Sequence, residues 1–317
     1  MNQSPPLDPP PPSPQERQRA ISAFQAKIAL ERQAIRDELN KIAAQSPIPE
    51  RLREAIRHAT TAAESRRWRA LLVLTTGELM GARRSSMLLA ASAIECLHCA
   101  TLVVDDLPCM DNASQRRGLD ALHRKYGEGS ALQVTVWLLG MSRTLLTRAA
   151  MDVDAKTLQD RPGHLSALSE HQQRLEDQLQ FGQYLDLATR VGHVSASPAE
   201  IARLKCGRLF ALSAALPALM APPAVTEDHL GPALEAFGES LGVAYQMLDD
   251  IDDQSEQQLA TDGHLAEARN SLQSAMDRLE EAERRGLPTL VLKILAGLML
   301  ERHYFDPWEI CTVGALP

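Results

Sequence analysis

The stretch that decides the fold is residues 93–111, with the sequence AIECLHCATLVVDDLPCMD. Small and apolar side chains recur at helical spacing, and the pattern runs directly into Asp105 and Asp106. Carboxylates are unfavourable at a helix C-terminus, because the helix dipole already places partial negative charge there. Several acids together therefore need a cation or some other compensation. Pro108 cannot continue a regular helix, so it can turn Asp111 back toward them.

A second apolar helix ends in acids in the same way, at residues 241–253, LGVAYQMLDDIDD. Asp249 and Asp253 are four residues apart and share one helix face, where like charges repel unless a divalent cation lies between them. Either cluster alone is compatible with a solvated acidic helix end. Together they favour Mg²⁺, which binds carboxylate oxygens and keeps positions for water and phosphate. The sequence thus predicts a Mg²⁺ site that takes a phosphate ester.

Basic side chains that can bind a phosphate ester lie near both clusters. Residues 66–69, RRWR, precede the first cluster, Arg116 and Arg117 follow it, and Lys205 lies between the two clusters. Arginine binds phosphate bidentately and stays charged at any working pH. Any one pair is also compatible with a solvated surface, so the prediction depends on the combination.

The composition places the chain among folded proteins and favours helices. The chain has 317 residues, of which 44% are hydrophobic and only 4% aromatic, so strands have little of the surface with which they pack. The net charge of −8 gives no reason to bind nucleic acid or an anionic membrane. Runs such as 71–74 and 294–300 fall short of the roughly 20 apolar residues that span a bilayer. We expect no membrane span and a cytoplasmic location.

Residues 1–15 hold seven of the 19 prolines and are predicted to be a disordered tail, and residues 16–317 are predicted to form one all-α domain. No linker rich in Gly, Ser or Pro divides the second segment. Five cysteines without an export signal indicate a reducing compartment. Cys96 and Cys99 are interpreted as small side chains of an apolar helix rather than a metal pair. The predicted helices are 16–44, 49–63, 67–80, 84–105, 118–125, 129–150, 164–191, 198–219, 227–253, 262–286 and 289–302.

Residues 93–118 resemble the first aspartate-rich motif of trans-isoprenyl diphosphate synthases, and residues 242–253 resemble the second. The first motif is most similar to the geranylgeranyl and short-chain farnesyl types, which carry two extra residues there. The resemblance runs from about residue 50 to 285. It implies an isoprenoid synthase-type bundle of about ten helices around a deep central cavity. It also implies Mg²⁺-dependent condensation of an allylic diphosphate with isopentenyl diphosphate, by a homodimer; a heterodimer with another prenyl synthase stays open.

The resemblance also assigns roles to individual residues. The Mg²⁺ ligands on the allylic diphosphate would be Asp105, Asp106, Asp111, Asp249, Asp250 and Asp253. Direct contacts with that diphosphate would come from Arg116, Lys205 and Gln246. Isopentenyl diphosphate would be bound by Arg66, Arg67, His98 and Arg117. The predicted catalytic residues among these are Asp105, Asp106, Arg116, Lys205 and Asp249. Aromatic positions beside the reacting centre match Phe210 and Tyr245, and a Gly-Gln-x-x-Asp element matches residues 182–186.

Two departures from the family pattern leave other functions open. Residues 254–263 contain no lysine where the family supplies one, and residues 135–139 read TVWLL in place of Gly-Asp-Ala-Leu-Leu. One alternative is a terpene synthase on the same fold, although Arg278 stands where its metal motif has an acid. The other is a regulatory subunit without turnover. Product length also stays open within C15–C25, and we expect C20 because Thr101 and Ala100, four and five residues before the first acid, are small.

Overall fold

The structure is a computed structural model that describes residues 13–62, 64–153, 159, 163–222, 230–253 and 261–301. Residues 1–12 of the predicted tail and Cys311 lie outside these ranges. The helices are α1 (Pro14–Gln45), α2 (Glu50–Thr60), α3 (Trp68–Leu79), α4 (Arg84–Asp105), α5 (Leu122–Tyr126), α6 (Glu128–Met151), α7 (His164–Arg190), α8 (Pro198–Ala202), α9 (Arg208–Met220), α10 (Leu230–Asp253), α11 (Thr261–Arg284) and α12 (Leu290–Leu300). A short hairpin, β1 (Gln115–Arg116) and β2 (Leu119–Asp120), precedes α5. The predicted all-α class is confirmed.

The buried apolar side chains of the described residues form two cores, and helix α4 is central to the first. It packs on α3 and α6, and its buried positions include Ile94, Cys96 and Cys99. The second core lies among α9, α10, α11 and α12. Among the described residues, α4 is also long and apolar enough to cross a membrane by length and composition alone. In this fold 67% of its apolar segment is buried inside the protein, as in a core helix.

Close helix contacts depend on glycine at one crossing that shapes the site. Helix α10 crosses the chain at Gly207, and a Cβ on Gly242 would lie only 2.8 Å from the Cα of Gly207. A side chain at either position would therefore push α10 away from the segment that carries Lys205 and Cys206.

Two predicted helices differ from the structure. The predicted helix 118–125 is wrong in its first part, because Arg117 (φ 53°) and Gly118 (φ 74°) form the two-residue turn of the β1–β2 hairpin. Two successive positive φ angles suit a type I′ hairpin turn and cannot continue a helix. The predicted helix 198–219 is divided by a π-helical turn at Arg203–Gly207. Insertions of this kind are frequent at functional sites, since they re-aim the side chains that follow.

Candidate active site

A cavity of about 990 Å³ brings the two acidic helix ends together. Asp105 at the end of α4 and Asp111 in the following loop line it, and so do Asp249 and Asp250 near the end of α10. The first pair is separated from the second by more than 130 positions in the sequence, so it is the fold that brings both pairs to one cavity. The cavity is therefore the candidate site.

The turn after α4 has the form that the sequence predicts. The backbone N–H of Asp111 donates to the carbonyl of Asp105 at 2.9 Å, which returns the chain to the first acid. Asn112 follows with a positive φ of 50°. Asp106 differs from its neighbours: it is buried, does not line the cavity, and accepts from Arg116 Nε at 2.9 Å and Nη2 at 2.5 Å. In this structure Asp106 therefore orients Arg116, which does line the cavity.

The second acidic end is connected to the opposite wall by a chain of hydrogen bonds. Gln246 Nε2 donates to Asp250 Oδ1 at 2.6 Å, and Cys206 Sγ donates to Gln246 Oε1 at 2.7 Å. Gln246 lies one helical turn before Asp250 and lines the cavity. Helix α10 continues to Asp253, whose side chain lies outside the described part of the structure.

The π-helical turn carries Lys205 toward the acids of α7. Lys205 Nζ donates to Asp186 Oδ2 at 2.6 Å. The approach is close because a Cβ on Gly182 would lie 2.5 Å from Leu204 Cβ, so only glycine allows α7 to lie against this turn. Arg190, one turn after Asp186, also contacts it. Lys205, Asp186 and Arg190 all line the cavity.

A basic loop before α3 supplies another wall. Arg67 has a left-handed backbone (φ 54°), and its guanidinium makes two hydrogen bonds: Nη1 donates to Glu95 Oε2 at 2.7 Å and Nη2 to the carbonyl of Thr60 at 2.7 Å. Arg69, which the sequence analysis did not assign, contacts His98 Nε2 at 3.1 Å and lines the cavity. Arg69 is the second residue of α3, and the left-handed Arg67 immediately before that helix is not apparent from the local sequence, so no sequence signal singles out Arg69.

The hairpin turn presents Arg117 from the other side. Its positive φ is one of three among the described residues other than glycine, and strained backbone of this kind concentrates at functional sites. Arg117 Nη1 lies 3.7 Å from Cys99 Sγ on α4. Arg66, Arg117 and His98 all line the cavity, so the structure brings the predicted basic residues to one space.

Burial changes the protonation of two of these side chains. Burial raises the pKa of Asp105 to about 6, an effect that Lys205 opposes and Asp111 reinforces. Burial lowers the pKa of His98 well below its ordinary value, and the neighbouring Arg69 and Arg117 lower it further. His98 is therefore neutral at pH 7 and offers a hydrogen bond rather than a charge.

The donor set fits Mg²⁺ that is shared with a ligand. No three His, Cys, Asp or Glu side chains of the described residues come close enough together to enclose a metal. The carboxylates of the two acidic helix ends instead line one cavity that is wide enough for further ligands. Mg²⁺ is commonly held in this way, by one or two carboxylates together with water and substrate phosphates. Hard oxygen donors of this kind do not favour zinc or copper.

Comparisons with known proteins agree with the fold and the motifs. A family model described as Polyprenyl synthetase matches residues 49–267. The chain is 30% identical over 260 residues to farnesyl diphosphate synthase of Escherichia coli, covering 75% of this chain and 85% of that protein. It is 31% identical over 212 residues to geranylgeranyl diphosphate synthase of Cereibacter sphaeroides, covering 66% and 67%. The solved geranyltranstransferase of Thermotoga maritima has the same fold, with a TM-score of 0.72, 24% identity and coverage of 88% and 98%.

Proposed function

This chain belongs to the polyprenyl synthetase family, a family of trans-prenyltransferases, and we propose on that premise that it condenses an allylic diphosphate with isopentenyl diphosphate. The observation that carries the proposal is the single cavity lined by both acidic helix ends and by the basic loop and hairpin. We propose C20 as the main product within the range C15–C25. The proposed chemistry needs two diphosphate subsites, and the cavity offers cations for each.

The first subsite would hold the allylic diphosphate at the acidic helix ends. The ligands proposed for Mg²⁺ are Asp105, Asp111, Asp249 and Asp250 from the cavity wall, together with Asp106 and Asp253 from the same motifs. When bound, Mg²⁺ would neutralise charge on the departing diphosphate. Lys205, Arg116 and Gln246 would donate to the same oxygens, because all three line the cavity beside the acids.

The second subsite would hold isopentenyl diphosphate without metal. Arg66, Arg69 and Arg117 line the cavity beside the neutral His98 and would donate to its diphosphate. Arg67 also lines the cavity, but its guanidinium is held by Glu95, so we propose that it fixes the loop between Arg66 and Arg69. The predicted role of Arg67 as a ligand thus becomes a positioning role in this proposal.

The reaction follows from this arrangement. As the allylic diphosphate departs, positive charge develops on the allylic carbon, and the double bond of isopentenyl diphosphate attacks that carbon. Loss of a proton then restores an alkene and leaves a longer prenyl diphosphate. The side chains of Leu179, Leu209 and Tyr245 would keep water from the cation, since they line the same cavity.

One assay tests the proposal against both alternatives. The purified protein is incubated in Mg²⁺ with an allylic diphosphate, with and without isopentenyl diphosphate, and the products are separated after dephosphorylation. We expect a longer alcohol only when both substrates are present. Asp105→Ala and Asp249→Ala should each lower the rate by about 100-fold or more, because either change removes an oxygen ligand from a shared metal.

The other outcomes identify the other functions. Consumption of the allylic diphosphate alone, with release of a hydrocarbon or alcohol, would indicate a terpene synthase. No turnover alone, but a change in the rate or product of an added prenyl synthase, would indicate a regulatory subunit. Equal diphosphate binding with and without EDTA would contradict a metal-dependent site.

A further inference from the structure

Arg190, in the last turn of α7, contacts two carboxylates of the cavity at once. Its Nη1 donates to Asp111 Oδ1 at 2.6 Å, and its Nε and Nη2 donate to the two carboxylate oxygens of Asp186 at 3.1 and 2.9 Å. Neither the sequence motifs nor the predicted basic residues include it. A single guanidinium thus joins the loop after α4 to α7 across the candidate site.

A divalent cation would compete with the Arg190 guanidinium for these carboxylates. Asp111 is a proposed Mg²⁺ ligand, and Asp186 already accepts from Lys205. Burial by itself raises the pKa of Asp186, but the hydrogen bonds from Lys205 and Arg190 outweigh it, and the pKa lies below its ordinary value. The carboxylate is therefore ionised and held by cations from two elements, a charge arrangement into which a metal can substitute.

The contacts of Arg190 are also exchangeable. The side chain is 47% exposed, and that of Asp111 is 34% exposed. Ion pairs at this exposure are weak, because water screens the attraction and long side chains lose conformational freedom. The guanidinium fork matches phosphate oxygens as well as it matches carboxylates. Arg190 can therefore leave Asp111 for a phosphate without a large penalty.

We propose that Arg190 is a positioning residue that holds Asp111 and Asp186 before the metal binds, yields Asp111 to Mg²⁺, and then donates to the allylic diphosphate. This inference rests on the proposed function of the acidic cluster. It supplies a cation for the diphosphate in a chain whose residues 254–263 contain no lysine. It also predicts that removal of Arg190 strengthens metal binding and weakens diphosphate binding. A residue with a purely structural role would not change the two affinities in opposite directions.

The test compares Arg190→Gln with a matched control, Arg174→Gln. Arg174 lies on the same helix, is 48% exposed and pairs with Glu235, but does not line the cavity. Binding of Mn²⁺ without diphosphate is measured from the electron paramagnetic resonance signal of free Mn²⁺. Binding of inorganic pyrophosphate is measured by calorimetry at saturating Mg²⁺. Thermal unfolding checks that each variant is folded.

We expect Arg190→Gln to bind Mn²⁺ about 2- to 5-fold more tightly, because a competing cation is gone. It should bind pyrophosphate about 10-fold more weakly, because a charged donor is lost. Arg174→Gln should match the wild type in both measurements. If Arg190→Gln weakens both affinities, or changes neither, the proposal is overturned while the proposed function stands. If the wild type itself binds neither Mn²⁺ nor Mg²⁺ with pyrophosphate, the proposed function fails and this inference with it.

Discussion

At the scale of single residues, the basic loop depends on one buried ion pair. The side chains of Arg67 and Glu95 are 1% and 0% exposed, and Glu95 Oε1 has no hydrogen-bond partner among the described residues. Taking two charges out of water is costly, and their mutual contact, the carbonyl of Thr60 and the nearby charge of Arg117 offset that cost. The pair holds Arg67 in its left-handed conformation and so sets the directions of Arg66 and Arg69.

Removing one member of this pair should be strongly destabilising. Glu95→Gln leaves the Arg67 guanidinium buried without a counter-charge, and we expect the free energy of unfolding to fall by about 3–5 kcal/mol. Urea denaturation measures the change. The control is Glu78→Gln, which removes the partner of Lys27 from a pair whose side chains are 61% and 39% exposed, and which should change stability by less than about 1 kcal/mol. Equal effects of the two substitutions would contradict a structural role for the buried pair.

His98 should make the stability depend on pH. Its folded pKa is lowered, so below its ordinary pKa of about 6.5 the unfolded chain takes a proton that the folded chain refuses. Stability should therefore fall as pH drops through that value, by at most about 1.4 kcal/mol per pH unit. Asp105, whose pKa is raised to about 6, acts in the opposite direction, because the folded state holds its proton more readily.

The measurement that isolates His98 is a comparison with His98→Gln, which cannot take a proton. Urea midpoints at pH 7.5, 6.5 and 5.5 are measured for both proteins. The wild type should lose more stability than the variant between pH 6.5 and 5.5. Parallel pH curves would show that His98 does not titrate differently in the two states.

At the scale of elements, the sequence predicts the helices with strong periodicity and misses the features that depend on tertiary contacts. The bounds 84–105 of α4 are confirmed to the residue, since the apolar pattern and the acids end together. The hairpin strands have two residues each, too few to show an alternating pattern. The π-helical turn lies where α7 and α10 pack closely against the chain at Gly182 and Gly242, and local sequence does not reveal these contacts.

The site residues show the same difference between features set by local sequence and features set by tertiary contacts. The acidic ends could be predicted because carboxylates after an apolar helix are unusual in themselves. Arg67 and Arg69 both line the cavity, but the sequence could not show that Arg67 is held by Glu95 while Arg69 contacts His98, because these partners lie 28 and 29 positions away. Arg190 could not be found either, since its contact with Asp111 joins residues 79 positions apart.

We predict that the product length depends on the side chains of α4 that line the cavity. His98, Thr101, Leu102 and Asp105 line the cavity, whereas Ala100 is 1% exposed in the apolar core and does not. This follows from 3.6 residues per turn, because positions four apart share a face and positions five apart do not. Thr101 is thus the small side chain below the first acid.

Thr101→Phe should shorten the product, because the larger ring occupies the space into which the chain grows. We expect C15 or less in place of C20 when the dephosphorylated alcohols are separated by chromatography. Ala100→Phe is the matched comparison. It should lower stability by about 1–3 kcal/mol through overpacking, with a smaller effect on length. An unchanged distribution for Thr101→Phe, or a wild type that already stops at C15, would place the end of the chain elsewhere.

At the scale of the whole molecule, the cavity must bind an anionic diphosphate although the protein itself has a negative net charge. The net charge of −8 repels a diphosphate at long range, so binding must depend on cations close to it. The fold supplies them from four separate places: the loop before α3, the hairpin, the end of α7 and the π-helical turn. Because these segments are distant in sequence, diphosphate affinity should be lost on unfolding rather than retained by any fragment.

The last prediction concerns the outer surface. We predict that the protein forms a dimer through α6 and α7. These neighbouring helices, joined by Arg143 and Glu176 at 2.7 Å, expose large apolar side chains that include Val136 (67% exposed) and Phe181 (52%). Exposed apolar side chains on adjacent helices favour an interface, and the family resemblance implies that a second copy of this chain covers them.

Val136→Asp should convert the dimer to a monomer, because a symmetric interface would bury two uncompensated carboxylates. Light scattering after size-exclusion chromatography measures the mass over a range of concentrations. The control is Leu30→Asp on α1, which is 74% exposed and lies outside the proposed face, so that variant should remain dimeric. A wild type that is monomeric at high concentration would exclude the homodimer. A Val136→Asp variant as dimeric as the wild type would place the interface on another face. If mixing with an active prenyl synthase restores a dimer that the chain does not form alone, the heterodimer is the correct assembly.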